Sequence, residues 1–220
     1  MVPEREPKDV SQLLPIDPLD PAPEVLTRAA SALREGRVVA YPTETLYGLG
    51  VDPFREEALE RLCVLKGRPS EMPVSILVKD VAMLQEVAHD LPGPAMRLVE
   101  AFLPGPLTLV LRADPRLPEQ LTCGTGKIGI RISAHPFMRH LFSRYAAPIT
   151  TTSANPTGRP DARDATEILA YFPQGIDCIL DGGPVPGILG STVVDGTLKE
   201  PVILREGAIT ADEIAKALKE

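Results

Sequence analysis

Tyr41-Pro-Thr-Glu-Thr-Leu-Tyr-Gly-Leu-Gly50 follows directly on the apolar run Val38-Val39-Ala40, so two threonines, an acid, two tyrosines and two glycines gather where a buried-looking strand ends. Pro42 fixes the chain direction there. A strand-like continuation puts Thr43 and Thr45 on one face and Glu44 on the other. Two hydroxyls then line one surface, which is the property of a ligand wall. Gly48 and Gly50 let the backbone approach a ligand or adopt positive φ. A polar turn closing a strand would use the same residues without any ligand, and the rest of the chain has to decide between the two readings.

The bulk composition restricts the classes available. The chain has 220 residues, 44% hydrophobic and 24% charged, as expected of a soluble globular protein with one sizeable core. No apolar run is long enough to span a membrane and no secretory pattern opens the chain, so the expected location is the cytoplasm. Cys63, Cys123 and Cys178 are far apart and lack metal-ligand spacing, so no zinc framework and no protein-ligated metal is expected. A net charge of −7 and a pI near 5.1 argue against a general nucleic-acid binder. A basic pocket would have to come from a minority of the 23 Lys and Arg residues.

Upstream of the opening stretch, Met1 to Ala22 reads as an extended arm docked by its second half, with residues 1–13 as the arm proper. Pro23 to Glu35 has helical apolar spacing and ends at Gly36. Downstream, a helix from Glu56 to Leu65 runs into Lys66-Gly-Arg-Pro69, ahead of an apolar strand from Val74 to Val78. Lys66 as a point charge and Arg68 as a planar fork are suited to polyphosphate, although cations also simply cap a helix C-terminus. Two short helices broken at Pro92-Gly-Pro94 precede a strand after Pro104-Gly-Pro106. A glycine-rich turn then enters a strand bearing Lys127 and Arg131, a pair that edge-strand solubility would also explain.

Pro136 to Tyr145 reads as a helix. It leads into Pro148-Ile-Thr-Thr-Thr-Ser-Ala-Asn-Pro-Thr-Gly158, a threonine strand ending in a hydroxyl and amide cluster at the usual place of ligand sites. Ser153 lacks a Gly-x-Ser-x-Gly frame, so a serine nucleophile is not expected. A helix from Asp164 to Phe172, a strand from Cys178 to Leu180, a hydroxyl-led strand over Gly190 to Asp195 and a strand carrying Arg205 follow. Thr210 and Glu213 have capping-box spacing and start the last helix.

Together, Tyr41 to Gly50, Lys66-Gly-Arg-Pro69, Ser153-Ala-Asn-Pro-Thr-Gly158, Ser191-Thr-Val-Val-Asp195 and Leu204-Arg-Glu-Gly-Ala-Ile209 resemble the YrdC-like family of threonylcarbamoyl-AMP synthases. The resemblance runs from about Leu14 onward in the family's order and is that of the short single-domain form, with residues 14–220 as the catalytic domain. It implies an α/β fold, a twisted mixed parallel and antiparallel sheet flanked by helices around a deep cavity. It also implies a nucleotidyltransferase that converts L-threonine, bicarbonate and ATP to threonylcarbamoyl-AMP and pyrophosphate for t6A modification of tRNA, with Mg²⁺ accompanying the nucleotide. The downstream tRNA threonylcarbamoyl transferase is the implied partner, with weak or no direct tRNA binding. By this resemblance Lys66, Arg68, Ser153 and Asn155 are the catalytic set. Thr45, Thr43, Arg131, Thr151 and Ser191 hold threonine, and Arg68, Lys127, Ser153 and Arg205 hold ATP. Lys127 stands where relatives often have a small hydroxyl residue, Ser133 where proline is common and Met72 where a polar residue is usual. Two other readings stay open: an RNA-binding or ribosome-assembly module using the same basic cavity, and a carbamoyl-adenylating domain like that of hydrogenase-maturation proteins.

Overall fold

The apolar run at Val38 forms a strand covered on both faces, as expected for a central strand. Val38 and Ala40 join one apolar cluster, while Val39 and Tyr41 join a second on the opposite side. The structure is a computed structural model that describes residues 10–69, 72–186 and 189–219. In chain order its elements begin β1 (Leu13–Pro15), α1 (Pro23–Arg34), β2 (Val39–Pro42), β3 (Tyr47–Gly50), α2 (Glu56–Lys66), β4 (Ser75–Leu77), α3 (Val81–Val87) and β5 (Ala88–His89). Next come α4 (Gly93–Phe102), β6 (Leu107–Ala113), α5 (Glu119–Thr122), β7 (Lys127–Arg131), α6 (Pro136–Arg144) and β8 (Ile149–Ser153). The chain continues through α7 (Ala165–Tyr171), β9 (Cys178–Asp181), β10 (Thr192–Asp195), β11 (Val202–Arg205) and α8 (Ala211–Lys219).

All described strands form one mixed sheet in the order β1-β9-β2-β3-β8-β4-β7-β6-β10-β11, with β5 paired to β6 off this path. Parallel pairs β1–β9, β2–β9, β4–β7 and β6–β10 are interleaved with antiparallel ones. Strand β8 joins the two halves of the sheet. Its first residues ladder with β4 and its last two, Thr152 and Ser153, with β3. Helices α1 and α6 pack on one face through Leu26, Leu33, Phe137 and Leu141. The other face carries α2, α4, α7 and α8 through Leu62, Leu98, Ile168 and Ile214. No described helix is long and apolar enough to cross a membrane.

Two details differ from the sequence reading. The chain does not continue as a strand after Pro42. Residues 43–46 form a turn, and β3 returns antiparallel to β2 with Tyr41 opposite Gly48 and Val39 opposite Gly50. Both glycines lie in β3 without positive φ, and they leave room for the Tyr41 ring. A Cβ on Gly50 would sit 2.7 Å from Tyr41 Cε1 and 2.4 Å from Ile149 Cγ2, and one on Gly48 2.9 Å from Tyr41 Cε2. The arm differs as well. Residues 1–9 lie outside the described residues, while Val10 bridges to Gln174, Ser11 donates its N–H to the Pro173 carbonyl and Leu13 begins β1. A boundary after residue 13 therefore cuts an edge strand.

Candidate active-site cavity

The β2–β3 turn is closed by its own threonine. Thr43 Oγ1 donates to the Leu46 carbonyl at 2.6 Å and accepts from the N–H groups of Thr45 and Leu46. This side-chain-closed turn brings the Thr43 and Thr45 hydroxyls to 3.1 Å of each other, so the two share a surface although the strand expected to pair them is absent. Both residues are buried apart from the side they present to a cavity of about 560 Å³.

Arg131 ends β7 and reaches the same turn. Its Nη2 donates to Thr45 Oγ1 at 2.9 Å and its Nε to the Gly105 carbonyl at 3.2 Å. Glu44, which does not line the cavity, places Oε1 2.9 Å from Arg131 Nη2. Its other oxygen accepts from Ser133 Oγ at 2.5 Å. Burial opposes ionisation of Glu44, but the Arg131 charge and the Ser133 hydroxyl outweigh it and hold the carboxyl below the usual range.

The second wall comes from β8 and the loop after it. Thr151, Thr152 and Ser153 line the cavity. Ser153 Oγ donates to Asn155 Oδ1 at 2.5 Å, and the Asn155 amide donates to the Arg159 carbonyl, which ties the loop into a compact turn. Lys66 lies beneath it. Its Nζ donates to the carbonyls of Ser153 and Asn155, at 2.5 and 2.6 Å, and the Thr157 N–H returns to the Lys66 carbonyl. Lys66 is only 3% exposed. Burial, reinforced by the Arg68 charge and partly countered by Asp161, pulls its pKa down to about 8.

Helix α2 ends at Gly67, whose φ of 58° is the left-handed cap that glycine supplies. That turn separates the two cations. Lys66 stays under the 153–155 loop, while Arg68 lines the cavity and braces its rim through the Met72 and Pro73 carbonyls. The third wall is the β10–β11 pair. Ser191 Oγ and Thr108 Oγ1 are 2.8 Å apart, and Arg205 Nη2 donates to the Ser191 carbonyl at 2.8 Å.

The structure thus brings Thr43, Thr45, Arg68, Arg131, Thr151, Ser153, Ser191 and Arg205 around one cavity. Lys66 and Asn155 stand behind its wall. Lys127 is not brought to it: at the start of β7, four residues from Arg131, its Nζ pairs with Asp195 Oδ2 at 2.8 Å. Met72 does line the cavity. Residues that the motifs did not single out also line it, namely Ser75, Thr108, Thr152 and Asp161. Ser75 shows its signal only across strands, since Gly129 on the paired strand leaves the space its hydroxyl fills; a Cβ there would lie 2.3 Å from Ser75 Oγ. Glu44 was visible in the sequence but had no partner until β7 was laid beside β4.

Sheet order and cavity define an α/β protein whose strands wall a pocket of hydroxyls and arginines. The Sua5/yciO/yrdC family model, described as telomere recombination, matches residues 31–207, and the chain belongs to this family. Threonylcarbamoyl-AMP synthase of Pyrococcus abyssi is 38% identical over 192 residues, which is 87% of this chain and 56% of that protein. The enzyme of the same name from Halorhodospira halophila is 37% identical over 179 residues, 81% of this chain and 88% of its own length. The crystal structure of P. abyssi Sua5 complexed with L-threonine superposes with a TM-score of 0.89 at 36% identity, covering 94% of this chain and 60% of that one. The chain therefore spans a little over half the length of the Pyrococcus relative.

Proposed function

We propose that this chain is an L-threonylcarbamoyladenylate synthase, a nucleotidyltransferase that joins L-threonine, bicarbonate and ATP into threonylcarbamoyl-AMP with release of pyrophosphate. The observation that carries the proposal is the convergence of hydroxyls and arginines from six strands, the Lys66–Pro69 turn and the β2–β3 turn on one cavity, together with the kinship to enzymes of that name over most of the chain. Residues 14–220 would form the catalytic unit, with the docked end of the arm from Val10 to Leu13 completing its edge strand.

The threonine amine adds to carbon dioxide with loss of a proton, or to bicarbonate with loss of water. An oxygen of the resulting carbamate attacks the α-phosphorus of ATP as the bond to pyrophosphate breaks and pyrophosphate leaves. Such a transfer requires positioning and stabilised charge on phosphate oxygens, and no covalent protein nucleophile. Arg131 would fork onto the threonine carboxylate. Thr45, Thr43, Thr151 and Ser191 would meet its hydroxyl and amine; a site built to bond a hydroxyl rejects the analogue lacking one. Arg68, Ser153 and Arg205 would face the nucleotide, and Lys66 and Asn155 would act by fixing the Ser153 turn. Mg²⁺ would travel on the phosphates, since one or two carboxylates plus phosphate oxygens suffice for it and Asp161 and Glu206 line the cavity. The product would pass to the transferase that modifies tRNA to t6A. Mass spectrometry of a reaction with ¹³C-bicarbonate tests the reading. The expected product is threonylcarbamoyl-AMP carrying the label; unlabelled AMP alone would contradict it.

A further inference from the structure

Three arginines line the cavity, and among the described residues only Arg131 has a carboxylate within ion-pair distance. That carboxylate, Glu44, is not part of the cavity wall. It stands behind Arg131, held on its far oxygen by Ser133 and contacting Nη2 with the near one. One Nη2 hydrogen goes to Thr45 and the Nε hydrogen to Gly105, and the second Nη2 hydrogen is not well aligned on the near oxygen. The contact therefore acts chiefly by charge. Arg68 and Arg205 are braced by carbonyl and hydroxyl oxygens, which orient a guanidinium without cancelling its charge. The other acids at the cavity, Asp161 and Glu206, are exposed to solvent and make no ion pair with either arginine among the described residues.

Resting on the threonine reading above, we propose that Glu44 is a positioning and specificity residue that sorts the two substrates by charge. Neutralised from behind, Arg131 presents a fixed fork of N–H donors with little net field. That suits the single carboxylate of an amino acid, whose own ammonium group offsets it. A polyphosphate, with several charges to balance, finds its cations only at the Arg68 and Arg205 end. Glu44→Gln keeps the shape of the side chain and removes its charge, which opens the amino-acid end to phosphates.

Calorimetric titration of inorganic pyrophosphate into the full chain, with and without saturating L-threonine, tests this. In the unaltered protein threonine should leave pyrophosphate affinity essentially unchanged. In Glu44→Gln threonine should weaken it about tenfold, a coupling of about 1.4 kcal/mol, and adding Arg131→Ala to that variant should abolish the effect. Pyrophosphate binding equally indifferent to threonine in Glu44→Gln overturns the proposal, as does competition that survives loss of Arg131. If Glu44→Gln does not fold by thermal melting, Glu44→Ala, which removes the same charge, carries the same test and should shift in the same direction; no shift there overturns the proposal. An unaltered protein that binds pyrophosphate but no L-threonine refutes the threonine reading itself, and so differs from failure of the charge-sorting idea alone.

Discussion

At Arg131 one guanidinium holds the β2–β3 turn through Thr45 and, on the proposed reading, would also bind the threonine carboxylate. Replacing it by alanine should raise the threonine KM by the equivalent of roughly 1.5 to 3 kcal/mol, about ten- to a hundredfold, the worth of a hydrogen bond to a charged group. Steady-state kinetics with threonine as the varied substrate measures this, and an unchanged KM removes Arg131 from the threonine site. Lys66 makes a different prediction, because its charge is buried against carbonyls. Its folded pKa of about 8 lies below its ordinary 10.5. Below about pH 8 both folded and unfolded states hold the proton, and the folded state bears the whole cost of the buried charge. Between about 8 and 10.5 the unfolded chain binds more protons, so stability contributed by this site rises with pH, by at most about 3 kcal/mol. Tyr41 and Tyr47 act oppositely above about pH 10, since burial raises both, Tyr47 to about 12. The clean measurement compares urea unfolding of the protein and of Lys66→Met from pH 7.5 to 9.5. The difference between them should narrow or change in the variant's disfavour as pH rises, and parallel curves would remove the buried charge from the account.

Among the elements, the β2–β3 hairpin is where packing and site geometry are most closely joined. Tyr41 lies across Gly48 and Gly50 and donates its hydroxyl to the Thr150 carbonyl at 2.8 Å, so one ring links the hairpin to β8. Gly50→Ala would push a methyl into Ile149 and the Tyr41 ring, and should cost about 1 to 3 kcal/mol by overpacking. Gly67→Ala meets no atom within 4 Å and should cost only about 1 kcal/mol for its left-handed φ. Urea midpoints compare them, and an equal or smaller loss at Gly50 would contradict the packing role. This hairpin also shows what sequence could and could not reveal. Helices α1, α2, α6 and α7 were legible to within a residue or two because apolar spacing and the Gly36, Gly67 and Asp164 caps are local signals. The capping box at Thr210 is formed as its spacing implies, with Glu213 Oε2 accepting from the Thr210 N–H at 2.8 Å. Strand β3 was not legible, since Tyr-Gly-Leu-Gly has weak strand propensity and is fixed by Tyr41 on the neighbouring strand. The short helix α5 and strand β5 depend on tertiary context in the same way. In the site, hydroxyls and cations within motifs were readable one by one. The pairings Glu44–Arg131, Ser191–Thr108 and Lys127–Asp195 were not, because each joins segments tens of residues apart and depends on strand order.

For the molecule as a whole, the sheet explains why one cavity collects residues from so much of the chain. Strand β8 ladders with β4 and then β3, so the end of β8 at Ser153 and the turn at Thr43 open on the same cavity. Beyond β7 and β6, the parallel β10 brings Ser191 beside Thr108 and the antiparallel β11 returns Arg205 to Ser191. An acidic chain of net charge −7 thereby concentrates three arginines at one place, where a small anion gains most from them. The direct test of this account is pyrophosphate release from ATP, measured with L-threonine and bicarbonate supplied together and each omitted in turn. The account predicts release only when both are present; release that is indifferent to either one, or absent with both, would contradict it.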